Sequence, residues 1–220
     1  MPQDSSRMIS RIVIDSTDAT TELCFLGKAA GTDKSPYNTR SHRHPYTAVY
    51  NMLFSPLKNK PIKFAEIGVA SGSSAVLWDM YFTHENAQIN MFDSDMNFLE
   101  HAQQLVSERF RFHKVDVSVD RDVVRALSSG LAGQYDVILD DSSHEHGHQI
   151  RIIKEAFPLL KQGGMLIVED IFRATAEEEY SSLLVDILAK CSASYFVMCE
   201  HKDRWSPGWD NDKLLVLVKG

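Results

Sequence analysis

Two acidic pairs stand where short apolar runs end: Asp140-Asp141 after 135–139, and Glu169-Asp170 after 165–168. Carboxylates gathered at the ends of neighbouring strands repel one another unless protons or a cation lie among them. All-oxygen ligation favours magnesium, manganese or calcium over zinc, and magnesium leaves positions open for water or substrate oxygens. Because successive strand residues face opposite ways, Glu169 and Asp170 reach one ion only if the strand ends there. His144 lies three residues beyond Asp141, where an imidazole with an ordinary pKa of about 6.5 can accept a hydroxyl proton at neutral pH. The competing assignment makes Glu169-Asp170 a helix cap and Asp140-Asp141 a hydrogen-bonded turn. His146 and His148 read as a polar helix start, since their acidic neighbours give a zinc site little support.

A second group suits a nucleoside ligand. Glu66-Ile67-Gly68-Val69-Ala70-Ser71-Gly72-Ser73-Ser74 is a turn whose glycines let backbone approach a ligand ahead of a helix N-terminus. Its Gly-x-x-x-Gly spacing departs from the Gly-x-Gly-x-x-Gly of dinucleotide sites, and Glu66 would repel a pyrophosphate while attracting an ammonium-bearing ligand. Asp93, with Asp95 as substitute, ends the next apolar run and can accept both hydroxyl hydrogens of a ribose. Asp116 follows the third run, where a carboxylate can accept from an adenine amino group. Each has an alternative as a helix N-cap.

These residues need a scaffold that brings strand ends together. Apolar runs at 62–67, 88–92, 110–115, 135–139, 165–168, 195–199 and 214–218 alternate with helical stretches at 73–82, 96–107, 119–128, 149–160 and 177–190. That alternation predicts a seven-stranded, mostly parallel α/β sheet with helices on both faces. No helix-length stretch separates the last two runs, so they pair as a C-terminal antiparallel hairpin at or near the sheet edge. Residues 1–60 read as an N-terminal segment and lid, with a short helix near 46–54, and 61–220 as the main domain. Lys34, His42, His44, Tyr46 and Tyr50 are lid-lining candidates, although Tyr46 and Tyr50, four apart, also suit plain helix packing.

The 220 residues are 44% hydrophobic and 24% charged with a formal net charge of −7, which suits one folded domain. An acidic chain of this kind argues against nucleic acid or an anionic membrane as partner and favours a small molecule or glycan. Cys24, Cys191 and Cys199 have neither disulfide-framework nor metal-ligand spacing. No apolar run reaches bilayer length and the polar start Met1-Pro2-Gln3-Asp4 is not a signal peptide, so the expectation is a cytoplasmic protein, a homo-oligomer being open. Trp205 and Trp209 suit stacking on a sugar, core cover or dimerisation. Arg173 and Arg204 suit an anionic acceptor or a solvated surface.

At Glu66-x-Gly68-x-x-x-Gly72, Asp93 and Asp116 the chain resembles class I S-adenosylmethionine-dependent methyltransferases of Rossmann-like fold. At Gly31-Thr32-Asp33-Lys34, Asp140-Asp141-Ser142-Ser143-His144 and Val168-Glu169-Asp170 it resembles, more narrowly, the macrocin and mycinamicin sugar O-methyltransferases and rhamnosyl O-methyltransferases. The resemblance implies Thr32, Lys34, Glu66, Gly68, Gly72, Ser73, Asp93 and Asp116 at S-adenosylmethionine, and Asp141, Glu169 and Asp170 as ligands of a divalent metal, usually magnesium. It implies His144 as base beside Asp141, and a deoxysugar such as rhamnose as acceptor. The rival readings are a catechol-type O-methyltransferase, which uses a metal on the same fold, a nicotinamide-dependent oxidoreductase, a non-catalytic binding protein and a hydroxylase. The glycine spacing and the lack of an evident iron-binding pair of histidines plus a carboxylate weigh against the oxidoreductase and the hydroxylase.

Overall fold

Eight strands build one sheet in a computed structural model that describes residues 9–130 and 134–220. The start Met1-Pro2-Gln3-Asp4 lies outside the described residues. In chain order the strands are β1 (Ser10–Asp15), β2 (Lys63–Ile67), β3 (Gln88–Asp93), β4 (Phe110–Lys114), β5 (Tyr135–Asp140), β6 (Leu160–Val168), β7 (Cys191–Glu200) and β8 (Lys213–Lys219). Their spatial order is β1-β7-β8-β6-β5-β2-β3-β4. All neighbours are parallel except β8, which runs antiparallel to both β6 and β7. Strand order reverses between β2 and β5, the place where an open α/β sheet leaves a crevice for ligand.

Side-chain alternation builds two cores. Ala65, Ile67, Ile138, Leu166, Val168, Leu215 and Leu217 face α5 (Asp122–Gly130), α6 (His146–Ala156), α7 (Glu178–Ser181) and α8 (Val185–Leu188). Phe64, Val137, Leu139, Ile167, Leu214 and Val216 face α1 (Glu22–Ala30), α2 (Tyr46–Phe54), α3 (Ser73–Tyr81) and α4 (Met96–Gln103). Near-continuous apolar runs follow, because strands covered on both faces have no solvent side.

The sheet exceeds the seven-strand expectation by β1, a parallel partner of β7 at the edge. With Val13 64% exposed, β1 is held by backbone pairing rather than by a buried face, so its apolar pattern is weak. The hairpin forms, but β8 lies two strands in from the edge because β7 and β1 continue the sheet beyond it. The expected helix over 177–190 is two short helices, and the bend between them lets Tyr180, Leu184 and Leu188 reach one core. Among the described residues no helix is long and apolar enough to cross a membrane.

Candidate active site

The turn after β2 is fixed by neighbouring backbone. Gly68 has φ 102° and donates its N–H to Phe92 O at 2.7 Å. A Cβ on Gly68 would lie 1.9 Å from the carbonyl oxygen of Asp141, so glycine alone lets the β2 and β5 loops touch. Gly72, at φ 79°, begins α3 without a side-chain cap. Asp93 holds the middle of the turn: Oδ2 accepts from Val69 N at 2.8 Å and Ala70 N at 3.2 Å, and Oδ1 accepts from Asp95 N. Asp95 is the N-cap of α4. Asp116 lies beyond β4, where the hydroxyl and amide of Ser118 pull its carboxyl below the usual range. Thr32, Ser73 and Asp141 join this turn around a cavity of about 70 Å³, well short of the roughly 300 Å³ of an ordinary small-molecule pocket.

Gly31 ends α1 in the left-handed conformation, φ 72°, and donates back to Gly27 O, so the chain turns there and carries Thr32-Asp33-Lys34 across the strand ends. The Lys34 carbonyl accepts from Tyr46 N and Thr47 N, satisfying the first turn of α2, which Pro45 cannot cap. Its ammonium is buried among three carboxylates: it donates to Asp141 Oδ2 and to Glu169 Oε2, the latter at 2.6 Å, and lies 3.4 Å from Glu66 Oε1. Burial alone would weaken the Lys34 ammonium's hold on its proton, but Asp141, Glu169 and Glu66 outweigh it and lift the pKa well above the lysine range. Burial pushes Glu66 up to about 7 against the opposing pull of Lys34, and Trp78 Nε1 donates to it at 2.8 Å. Burial likewise raises Asp141, and raises Glu169 further.

Consecutive carboxylates part ways after β6. Glu169 continues the alternation of Met165 and Ile167 toward α2, where Tyr50 donates to Oε1. Asp170 has φ 56° and turns elsewhere, accepting from Tyr46 Oη at 2.6 Å. Tyr46 and Tyr50, one helical turn apart, thus address Asp170 and Glu169 respectively. Asp170 Oδ2 lies 3.5 Å from His144 Nε2, and His144 also has a left-handed backbone, φ 58°. Two non-glycine residues in this sparsely populated region, side by side, mark a place where surrounding packing imposes geometry. Ligand atoms of Asp141, His144 and Asp170 all lie within 4.8 Å of one another. Glu169 is not in that trio, and its two oxygens accept from Lys34 and Tyr50. Asp140 instead shapes the turn, accepting from Ser142 N and Oγ.

The expected residues therefore form three neighbouring groups. Gly68, Gly72, Ser73 and Asp93 make or brace the turn, with Asp116 at the end of the next strand. Thr32, Lys34, Glu66 and Glu169 sit behind it, each 1% exposed or less. Asp141 joins Lys34 to the trio with His144 and Asp170. Beyond His144 opens a cleft of about 550 Å³ whose walls include His146, Thr175, Phe172 and Trp209. Trp205 is elsewhere, bridged to Arg43 by backbone pairing. Arg173 and Arg204 are committed to Glu200, Asp210 and Asp212. Sequence reasoning missed Gln149, which donates to Glu169 O at 3.0 Å, and Asp212, which pairs with His44 at 2.8 Å.

Residues 65–171 match a family described as a methyltransferase domain. Over that stretch the chain is similar to a methyltransferase domain. Similar proteins include the 8-demethyl-8-(2-methoxy-alpha-L-rhamnosyl)-tetracenomycin-C 3'-O-methyltransferase of Streptomyces olivaceus, 28% identical over 138 residues, 60% of this chain and 33% of that protein. The L-olivosyl-oleandolide 3-O-methyltransferase of Streptomyces antibioticus is 28% identical over 137 residues, 59% of this chain and 33% of that protein. The chain thus spans about a third of the length of the curated relatives it matches. Among solved structures, the MycE methyltransferase from the mycinamycin biosynthetic pathway, in complex with Mg, SAH and mycinamycin VI, superposes with a TM-score of 0.66. At 20% identity, over 92% of this chain and 55% of that one, this likeness speaks for the methyltransferase fold.

Proposed function

We propose that this chain transfers a methyl group from S-adenosylmethionine to a hydroxyl of a sugar, a deoxysugar such as rhamnose being the preferred class, with a divalent cation beside the acceptor. The observation that carries the proposal is the convergence of Asp141, His144 and Asp170 within 4.8 Å, between the glycine turn and the 550 Å³ cleft. The relatives' rhamnosyl and olivosyl acceptors support the deoxysugar class.

The carboxylates of Asp141 and Asp170 fit a hard cation, and beside them the His144 ring, its Nδ1 buried without a hydrogen-bond partner, keeps a nitrogen for a proton. Asp141 gives Oδ2 to Lys34 and retains a second oxygen. Glu169 completes a three-carboxylate set only by exchanging Lys34 or Tyr50 for the ion. When bound, S-adenosylmethionine supplies an electrophilic methyl group and the cation favours ionisation of the acceptor hydroxyl. His144 takes the hydroxyl proton at Nδ1, and Asp170 beside Nε2 steadies the resulting positive charge. The turn at 68–73 presents backbone to the methionine end of the donor, while Asp93 and Asp116 offer carboxylate lone pairs to its ribose and adenine. Tyr46 and Tyr50 hold the acidic pair in place and cover it from α2, keeping water from it.

Titration calorimetry with S-adenosylhomocysteine, followed by a methyl-transfer assay on methyl α-L-rhamnopyranoside with and without magnesium, tests this reading. Binding of the product cofactor and magnesium-dependent transfer are expected; failure to bind S-adenosylhomocysteine under any condition overturns it. Wild-type turnover in His144→Ala removes His144 as base. Asp141→Asn and Asp170→Asn are each expected to weaken Mn²⁺ binding, read by electron paramagnetic resonance, by more than about tenfold, since removing even a supporting partner of a ligand costs about that much. Glu169→Gln is expected to cost less; an equal loss assigns Glu169 to the ion.

A further inference from the structure

The cleft beyond His144 has a composition that the methyl-transfer reading does not use. Phe172 and Trp209 stack at its mouth, ring centroids 5.6 Å apart and planes 20° apart, and both are more than two-fifths exposed. The pair comes from separate loops, one following β6 and one preceding β8. Deeper in, His146 Nε2 is buried with no hydrogen-bond partner. The His146 ring meets Tyr180 edge-on at 4.7 Å; Tyr180 is anchored on Gln149, and Gln149 on the backbone of Glu169. The imidazole is thus oriented by the same chain of contacts that supports the acidic pair, yet its buried Nε2 has nothing to bond. Among the described residues no lysine or arginine lines the cleft, and Glu145 is its one acid.

We infer that this cleft is an acceptor subsite for a neutral pyranose ring, whose apolar face lies on the Phe172–Trp209 pair while a hydroxyl next to the reacting one hydrogen-bonds to His146 Nε2. The inference rests on the methyl-transfer reading and names the residues that choose its substrate. A pyranose presents C–H groups on one face and hydroxyls at its rim, which matches a stacked aromatic floor with imidazole nitrogens at the inner end. A carboxylate at the rim of the sugar away from the metal trio meets Glu145 and no lining lysine or arginine, so charge selects against uronic acids. A buried nitrogen with an unmade hydrogen bond discriminates strongly between a ligand that completes it and one that does not, which makes His146 a specificity determinant distinct from His144.

The test uses the full chain saturated with S-adenosylhomocysteine and magnesium, and methyl α-L-rhamnopyranoside as probe, followed by saturation-transfer NMR and tryptophan fluorescence. Trp209→Ala and His146→Phe are each expected to weaken rhamnoside binding about five- to tenfold. S-adenosylhomocysteine affinity and melting temperature should stay at the wild-type value, since Trp209 is half-exposed and phenylalanine keeps the ring against Tyr180. Methyl glucuronide should bind more weakly than the rhamnoside. Rhamnoside affinity unchanged in both variants, equal binding of the glucuronide, or no rhamnoside binding by protein that binds S-adenosylhomocysteine overturns the subsite. Loss of S-adenosylhomocysteine binding in the wild type strikes the methyl-transfer reading instead.

Discussion

Lys34→Met is expected to lower stability by about 3–5 kcal/mol, the usual cost of removing one partner from a buried charge cluster, and to lower the melting temperature by on the order of 10 °C. Lys34 is 1% exposed and is the ammonium in contact with Glu66, Asp141 and Glu169. Methionine keeps most of the side-chain volume and leaves the Lys34 carbonyl on Tyr46 N and Thr47 N, so the loss reports charge rather than packing or capping. The deficit should also depend on pH. Glu66 already holds its proton up to about 7 in the folded chain against 4.5 as its ordinary value, so between those values the folded state binds more protons and stability falls as pH rises. Without Lys34 the three carboxyls keep their protons to still higher pH, which widens that window upward. Thermal melts at pH 5 and pH 8 should therefore show the smaller deficit at pH 5; equal deficits would mean that Lys34 acts through packing alone.

The same lysine shows how far the sequence could be read. A cluster of carboxylates demands positive charge, and that demand was legible in Glu66, Asp141, Glu169 and Asp170. What periodicity could not reveal is that the chain supplies part of the charge itself, from residue 34, by turning at Gly31 and laying a lysine over strands that begin thirty residues later. The sheet was legible because its central strands are apolar on both faces, whereas β1 has one neighbour and little burial, so its pattern carried little signal. Tyr46 and Tyr50 carried a usable signal, since four-residue spacing on a helix aims two hydroxyls at one stretch of partner chain, and here that stretch is the acidic pair. In the sequence His146 suits a polar helix start, and α6 does begin there, but a helix position cannot say that Nε2 ends up buried and unpartnered.

Gly68→Ala should be the most disruptive single methyl group in the described chain. The new Cβ would fall 1.9 Å from Asp141 O and 2.6 Å from the carbon that bears it, both backbone atoms of a loop with no room to retreat: Asp141 N is itself bonded to Ile67 O at 2.8 Å. Conformational strain at φ 102° and the collision together cost about 2–6 kcal/mol if the fold survives. Gly72→Ala is the internal comparison. It too has positive φ, 79°, but its Cβ would meet the Ala102 side chain at 3.0 Å, a contact that a small shift relieves. Both variants put a Cβ at positive φ, so the larger loss in Gly68→Ala reports the steeper strain at φ 102° together with the β2–β5 collision. That contact is where the donor turn meets the loop bearing Asp141, so Gly68→Ala should weaken S-adenosylhomocysteine and Mn²⁺ binding together, each measured below the variant's melting temperature, while Gly72→Ala should affect the cofactor and spare the ion. Loss of both in Gly72→Ala, or retention of Mn²⁺ binding in Gly68→Ala, would show that the two loops hold their ligands independently and that the shared backbone contact does not set the position of Asp141.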